Sequence, residues 1–216
     1  MGERVRVTVV SDYICPWCYV GLARAERLER EFAIEVIWHP YELHPEIPPE
    51  GRDVGMRAAG YYDRLRPLFA EAGLAFEPPT RVPNSHAALE AAEFAREHGA
   101  FESYHRALFE AYFSRGRDLG DVSVLAGLAS ECGLDGSALT EALESKRYAS
   151  LVDQRSEEAR GMGVTGTPTF VFEDGERRFA LVGAQDYNVF ADVTRRMGAE
   201  KRTENLEPRT QAKRTA

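Results

Sequence analysis

Two cysteines separated by proline and tryptophan, Cys15-Pro16-Trp17-Cys18, are the residues of this chain best suited to covalent chemistry. A thiolate attacks a disulfide sulfur, and a second thiol two residues on can resolve the mixed disulfide that results. The flanking residues decide whether a thiolate is favoured. An apolar, β-branched run ends at Val10, just ahead of the pair, and Leu22, Ala25, Leu28 and Phe32 follow it at helical spacing. Strand, short loop, Cys-x-x-Cys and helix together set the first thiol at a helix N-terminus. Unpaired N–H groups and the positive end of the macrodipole favour the thiolate there. Pro16 suits the first turn, because its missing N–H would find no partner in that position anyway.

Other uses of a Cys-x-x-Cys pair fit less well. Structural zinc takes four ligands, usually with a second Cys or His pair at similar spacing. Beyond the pair the chain has Cys132 and five scattered histidines but no second Cys-x-x-Cys pair, so no metal site is expected. Covalent haem attachment needs His after the second cysteine, and Tyr19 stands there. Simple core filling does not account for a Pro-Trp spacer at a helix start. Gly161-Met-Gly163-Val-Thr-Gly166 matches G-x-G-x-x-G, a motif that must follow a strand and open a helix to hold a dinucleotide. Here it follows a helical pattern and opens a strand, so no nucleotide site is expected.

The segment Val9-Val-Ser-Asp-Tyr-Ile-Cys-Pro-Trp-Cys18, with Gly21 after it, resembles the active-site segment of the DsbA-like family. It is most similar to the cytoplasmic FrnE branch and its relatives, the 2-hydroxychromene-2-carboxylate isomerases and kappa-class glutathione transferases. Gly163-Val-Thr-Gly-Thr-Pro-Thr-Phe-Val-Phe172 is similar to that family's cis-proline segment. The resemblance runs to about Gly198. It implies an α/β thioredoxin fold, a four-stranded mixed sheet carrying a large all-helical insertion. It also implies that Thr167-Pro168 is a cis peptide packed opposite the cysteines, presenting a backbone edge to an extended substrate.

The elements needed to position these residues can be read along the chain. Arg4 to Val10 reads as a first strand, the helix after the cysteines runs to about Phe32, and Ile34 to Trp38 alternates as a second strand. A helix between two short strands makes them parallel. From about Asp53 to Gly161 the pattern is helical without strands. Segments are expected over Tyr61 to Ala72, from an Asn84 or Ser85 cap to His98, and around Tyr104 to Tyr112. Three more are expected at Val124 to Glu131, Ser137 to Ser145 and Tyr148 to Arg160. Thr169 to Phe172 and Arg178 to Val182 then read as a hairpin turning at Asp174-Gly175, followed by an amphipathic helix from Asp186 to Met197. The expected organisation is a discontinuous thioredoxin-like domain of residues 1–45 and 160–198, a helical insertion of 46–159, and a disordered tail of 199–216.

Composition sets outer bounds. With 216 residues and 44% apolar content, the chain suits one large domain or one domain carrying an insertion. A net charge of −8 argues against a general nucleic-acid surface, and no run reaches membrane-spanning length. Without an apolar leader or an even set of cysteines, the chain is expected in the cytoplasm, as a monomer or homodimer meeting protein or small-molecule thiols and disulfides.

Several residues carry two readings. Asp12, three residues before Cys15, is either a cap for the loop or an acid that raises a thiol pKa or relays a proton. Trp17 is expected at the rim of the site as a contact residue. Cys132 is in line with Leu125 and Leu128 and reads as a small buried hydrophobe. Tyr61, Tyr62 and His86 read as core or surface residues before groove residues.

Three functions compete. The first is a dithiol–disulfide oxidoreductase or disulfide isomerase with Cys15 as nucleophile and Cys18 as resolving thiol, supported by Asp12, Pro16 and Trp17, with Thr167 and Pro168 binding substrate. It needs no cofactor beyond the Cys15–Cys18 disulfide, with glutathione as a candidate reductant or co-substrate. The second is a glutathione-dependent isomerase or transferase of the related branch. The resemblance implies a serine at the first cysteine position in that branch, so retention of both cysteines favours redox chemistry. The third is a holdase that would work without either thiol.

Overall fold

The apolar run leading to the cysteines is strand β1, Arg6–Ser11, in a computed structural model that describes residues 4–202, with the backbone alone for 56–59. Helix α1 (Pro16–Glu31) follows and returns the chain to strand β2 (Glu35–Pro40). Next come a two-residue strand β3 (Arg52–Asp53), helices α2 (Met56–Asp63) and α3 (Arg66–Glu71), and a second two-residue strand β4 (Arg81–Val82). Five longer helices then run in succession: α4 (His86–Glu97), α5 (Phe101–Arg115), α6 (Val122–Glu131), α7 (Gly136–Glu144) and α8 (Ala149–Gly161). Strands β5 (Thr169–Glu173) and β6 (Arg178–Val182) precede helix α9 (Tyr187–Arg196).

The main sheet has the order β2-β1-β5-β6. β1 and β2 are parallel, with Val7 opposite Val36 and Val9 opposite Trp38, as a strand–helix–strand unit requires. β5 runs antiparallel to β1 and β6 antiparallel to β5. This is the mixed four-stranded sheet of a thioredoxin fold, with the helical elements inserted between β2 and β5. No helix among the described residues is long and apolar enough to cross a membrane.

Alternation along the central strand explains how both faces are covered. Val5, Val7 and Val9 enter the main core, while Val10 points to the other face and joins Tyr41, Ala159 and Val164. On β5, Phe170 meets Phe190 of α9 edge to face at 4.6 Å between ring centres. Helix α1 carries Tyr19 onto α5, where its ring stacks on Phe109 and Phe113 at 5.7 and 5.9 Å. Residues of the inserted helices and of the sheet therefore share one hydrophobic core. Each aromatic pair adds about 0.5–1.5 kcal/mol beyond the area it buries.

Several sequence expectations need correction. The single helix expected over Tyr61 to Ala72 is two, because Pro67 removes an N–H and disfavours helical backbone just before it. The inserted region is not strand-free, since β3 and β4 pair antiparallel. The β5–β6 hairpin has a four-residue loop rather than a two-residue turn, since Glu173 pairs with Arg178. The Asp174 carboxylate caps that loop by accepting from the N–H groups of Glu176 and Arg177. Val189 of α9 is exposed, although its neighbour Phe190 is buried. Residues 199–202 are not an unstructured start of a tail: Ala33 N–H donates to the Glu200 carbonyl and Arg202 N–H to the Glu31 carbonyl, both at 2.8 Å. The rest of the expected tail lies outside the described residues.

Gly21 marks the closest approach of α1 to the segment that opens β5. A Cβ there would sit 3.3 Å from Pro168 Cγ and 3.4 Å from Phe170 Cζ. Gly21→Val should therefore lower the urea-unfolding free energy by about 1–3 kcal/mol, and Gly21→Ala by less. Equal stability of Gly21→Val and the parent would show that the Pro168 segment yields freely.

Candidate active site

The loop between β1 and α1 is four residues long, and it hands the chain from the sheet to the helix at Cys15. Cys15 is the N-cap of α1, with φ −87° and ψ 114°, and Pro16 is the first helical residue. A serine or aspartate in that position would accept from the N–H of the third helical residue. Here the capping residue is a cysteine whose side chain makes no cap hydrogen bond, and the Cys18 N–H donates to the Cys15 carbonyl at 3.0 Å. No acidic residue in the first turn of α1 opposes a negative charge there. Both thiols are free and buried.

The two sulfurs are driven apart electrostatically. The Cys15 pKa is lowered, chiefly because the Cys18 thiol donates to its thiolate. Burial works against this, and the Thr167 hydroxyl and the Cys18 N–H add to it. The Cys18 pKa is raised, first by burial and then by the Cys15 thiolate beside it. Cys15 thus favours the thiolate and Cys18 the protonated thiol. Cys15 S–H donates to the Thr167 carbonyl at 3.4 Å, across 152 residues of chain. The Thr167–Pro168 peptide is cis. The Thr167 hydroxyl is buried without a partner in the thiol state, so an ionised sulfur gives it an acceptor.

Asp12 holds the loop, the first of its two readings, and its charge bears only weakly on Cys15. Its carboxylate accepts from Ile14 N–H at 3.3 Å, which fixes the loop before Cys15. It also accepts from Leu43 N–H at 2.8 Å and from the Ser85 hydroxyl at 3.1 Å. The group is completely buried, and burial pushes its pKa up to about 6 despite those three donors. Its charge in turn raises the Cys15 pKa slightly. Ser85, expected as a helix cap, turns its hydroxyl to Asp12 instead, while Asn84 accepts from His86 N–H at 2.9 Å.

Trp17 is half-buried at the edge of the pair, its indole N–H donating to the Tyr61 hydroxyl at 2.9 Å. Tyr61 is exposed and Tyr62 buried, and their rings meet edge to face. Tyr62 is thus a core residue and Tyr61 a surface one, in keeping with the sequence reading, and Tyr61 touches the site through Trp17. Cys132 is apart from this group at the C-cap of α6 and is half-buried rather than fully buried. Behind the site, the Tyr13 hydroxyl and His105 Nδ1 share a buried hydrogen bond of 2.7 Å, and burial holds the His105 pKa well down. Neither Ser85 nor His105 carries a local signal, because their partners are 73 and 92 residues away.

Comparison with known proteins adds to the geometry. Residues 6–194 match the family model of the DSBA-like thioredoxin domain. The chain is 32% identical over 191 residues to the uncharacterised protein YwbO of Bacillus subtilis, covering 86% of this chain and 94% of that one. It is 24% identical over 169 residues to a 2-hydroxychromene-2-carboxylate isomerase of Sphingobium xenophagum, covering 76% of this chain and 86% of the relative. Among solved structures, a probable DsbA oxidoreductase of Streptomyces coelicolor superposes with a TM-score of 0.81 at 26% identity, covering 97% of this chain and 94% of the other.

The burial of Asp12 has a consequence for stability. Its pKa rises from 3.8 to about 6 on folding, so between those values the native state binds more protons than the unfolded state. The folded state should then lose stability as pH rises through that window and level off above it, by about 3 kcal/mol in all. Asp12→Asn removes this dependence. The difference in unfolding free energy between parent and variant should therefore shift by about 3 kcal/mol in favour of the variant between pH 3.5 and 7.5. Parallel pH curves would show that Asp12 ionises as an exposed carboxylate does.

Proposed function

The chain belongs to the DSBA-like thioredoxin domain family, and from that premise we propose that it is a dithiol–disulfide oxidoreductase of the FrnE type. The observation that carries this reading is the opposed tuning of the two thiols, Cys15 lowered and Cys18 raised, at the start of one helix. In the forward direction the Cys15 thiolate attacks one sulfur of a substrate disulfide. That bond breaks, one substrate thiolate leaves, and the substrate is joined to Cys15. Cys18 then loses its proton and attacks the Cys15 sulfur. The second substrate thiolate leaves, and the Cys15–Cys18 disulfide holds the oxidised equivalent of the two electrons given up. Reversed, the same steps oxidise a substrate dithiol.

The Thr167 carbonyl contacts the Cys15 sulfur, and Trp17, within the motif, is half-buried and bonded to exposed Tyr61, which supports Thr167, Pro168 and Trp17 as substrate contacts. The partners we assign are protein or small-molecule thiols and disulfides, with glutathione as a reductant that returns Cys15–Cys18 to the dithiol. Three cysteines without an even framework support a cytoplasmic setting for this cycle.

A second reading rests on the 2-hydroxychromene-2-carboxylate isomerase relative, a glutathione-dependent isomerisation at the same site. The two are separated by removing the resolving thiol. Cys18→Ser should accumulate a Cys15 mixed disulfide when the reduced protein is mixed with oxidised glutathione, and its turnover in insulin reduction should drop by at least a hundredfold. A variant that keeps parental turnover and forms no adduct would show that the second thiol is idle and favour the isomerase.

A further inference from the structure

One group of side chains outside the cysteine site is not accounted for by redox chemistry. His86 opens α4, Glu42 follows β2, and Asp153 comes from α8. One donor atom from each lies within 4.8 Å of the others. His86 Nδ1 is 3.3 Å from Glu42 Oε2, and His86 Nε2 is 3.6 Å from Glu90 Oε1, one helical turn further along α4. Glu90 is only 5% exposed, and its Oε2 is buried with no hydrogen-bond partner. Among the described residues no lysine or arginine pairs with Glu42, Glu90 or Asp153 within 4 Å. The nearest guanidinium contact there, from Arg160, goes to the Glu42 backbone carbonyl. Glu42 and Asp153 thus meet the imidazole as one group, while Glu90 stands on its Nε2. A buried carboxylate oxygen without a partner costs about 1–3 kcal/mol or more, a cost that a cation would offset.

We propose that Glu42, His86 and Asp153 form a binding site for one divalent transition-metal ion, with Glu90 holding the other imidazole nitrogen as an outer partner. One imidazole nitrogen with carboxylate oxygens suits Mn²⁺, Fe²⁺, Co²⁺ or Zn²⁺ better than Mg²⁺ or Ca²⁺, which take oxygen alone. Donor–metal bonds of about 2.1 Å hold two donors at most about 4.2 Å apart, so any donor pair near the 4.8 Å limit would have to draw in. Asp153 is exposed and free to make that movement. Glu42 is already steered from behind, because Asn84 donates to its Oε1 at 3.4 Å and leaves Oε2 facing the imidazole. Such outer partners orient metal ligands in known sites. The group carries no sequence signature because its three ligands come from three separate segments.

The position gives the ion something to act on. Glu42 and His86 are the immediate chain neighbours of Leu43 and Ser85, the two donors to Asp12 Oδ2. A bound ion would pin both at once.

Mn²⁺ is the probe of choice, because it disfavours thiolates and so avoids Cys15, Cys18 and Cys132. Reduced full-length protein, freed of metal with a chelator, should bind one equivalent of Mn²⁺ in calorimetry and show a raised melting temperature. Asp153→Asn, at an exposed position, should weaken binding at least tenfold and remove the thermal shift, while its metal-free melting stays parental. His86→Asn should weaken binding to at least the same degree. Absence of stoichiometric Mn²⁺ binding at millimolar concentration would overturn the proposal. Binding that is unchanged in both variants would do the same.

Discussion

A carboxyl group sealed from solvent at the end of the central strand is the constraint on which the site depends. Asp12 accepts hydrogen bonds from its own loop, from the segment after β2 and from the start of α4. Those contacts join three distant stretches of chain at the point where β1 gives way to α1. With the loop fixed, Cys15 can only begin the helix. Its sulfur then occupies the place where a capping oxygen would stand. The same buried charge raises the Cys15 pKa a little, so the support of the site also restrains the thiolate it positions. Helix-terminal N–H groups, the Cys18 thiol and the Thr167 hydroxyl outweigh that restraint.

The second requirement is a rigid frame for the opposite wall. Thr167 reaches Cys15 only because β5 pairs with β1 and α1 packs closely on Pro168 at Gly21. The aromatic column of Tyr19, Phe109 and Phe113 locks α1 against α5 from the other side. A close-packed interior of this kind transmits small shifts rather than absorbing them. The geometry of the two sulfurs is thus a property of the whole core, not of the four-residue motif.

How much of this could be read from sequence depends on whether the determining contact is local. The β1–α1–β2 unit was legible because β-branched residues, the Cys-Pro step and the period of Leu22, Ala25, Leu28 and Phe32 each act within a few residues. The cis peptide at Thr167-Pro168 was legible only through resemblance, since a proline opening a strand is ordinary by itself. The break before α3 was there to be read in Pro67 but was masked by the apolar spacing on either side of it. The burial of Asp12 was not legible, because Leu43 and Ser85 come from 31 and 73 residues away. A charged residue beside an active-site motif looks the same in sequence whether it faces water or is enclosed. The Glu42, His86 and Asp153 group was hidden for the same reason.

The account rests on Cys15 and Cys18 forming a reversible disulfide whose reduced state is favoured by a stabilised thiolate. The most direct measurement equilibrates the protein with glutathione buffers of graded ratio, quenches with acid and follows the Cys15–Cys18 disulfide by mass spectrometry. A stabilised thiolate makes the reduced form easier to reach, so the potential should lie above thioredoxin's value of about −270 mV and below DsbA's value of about −120 mV. A pair that remains dithiol at every ratio, or oxidation that proceeds only through Cys132, would contradict it.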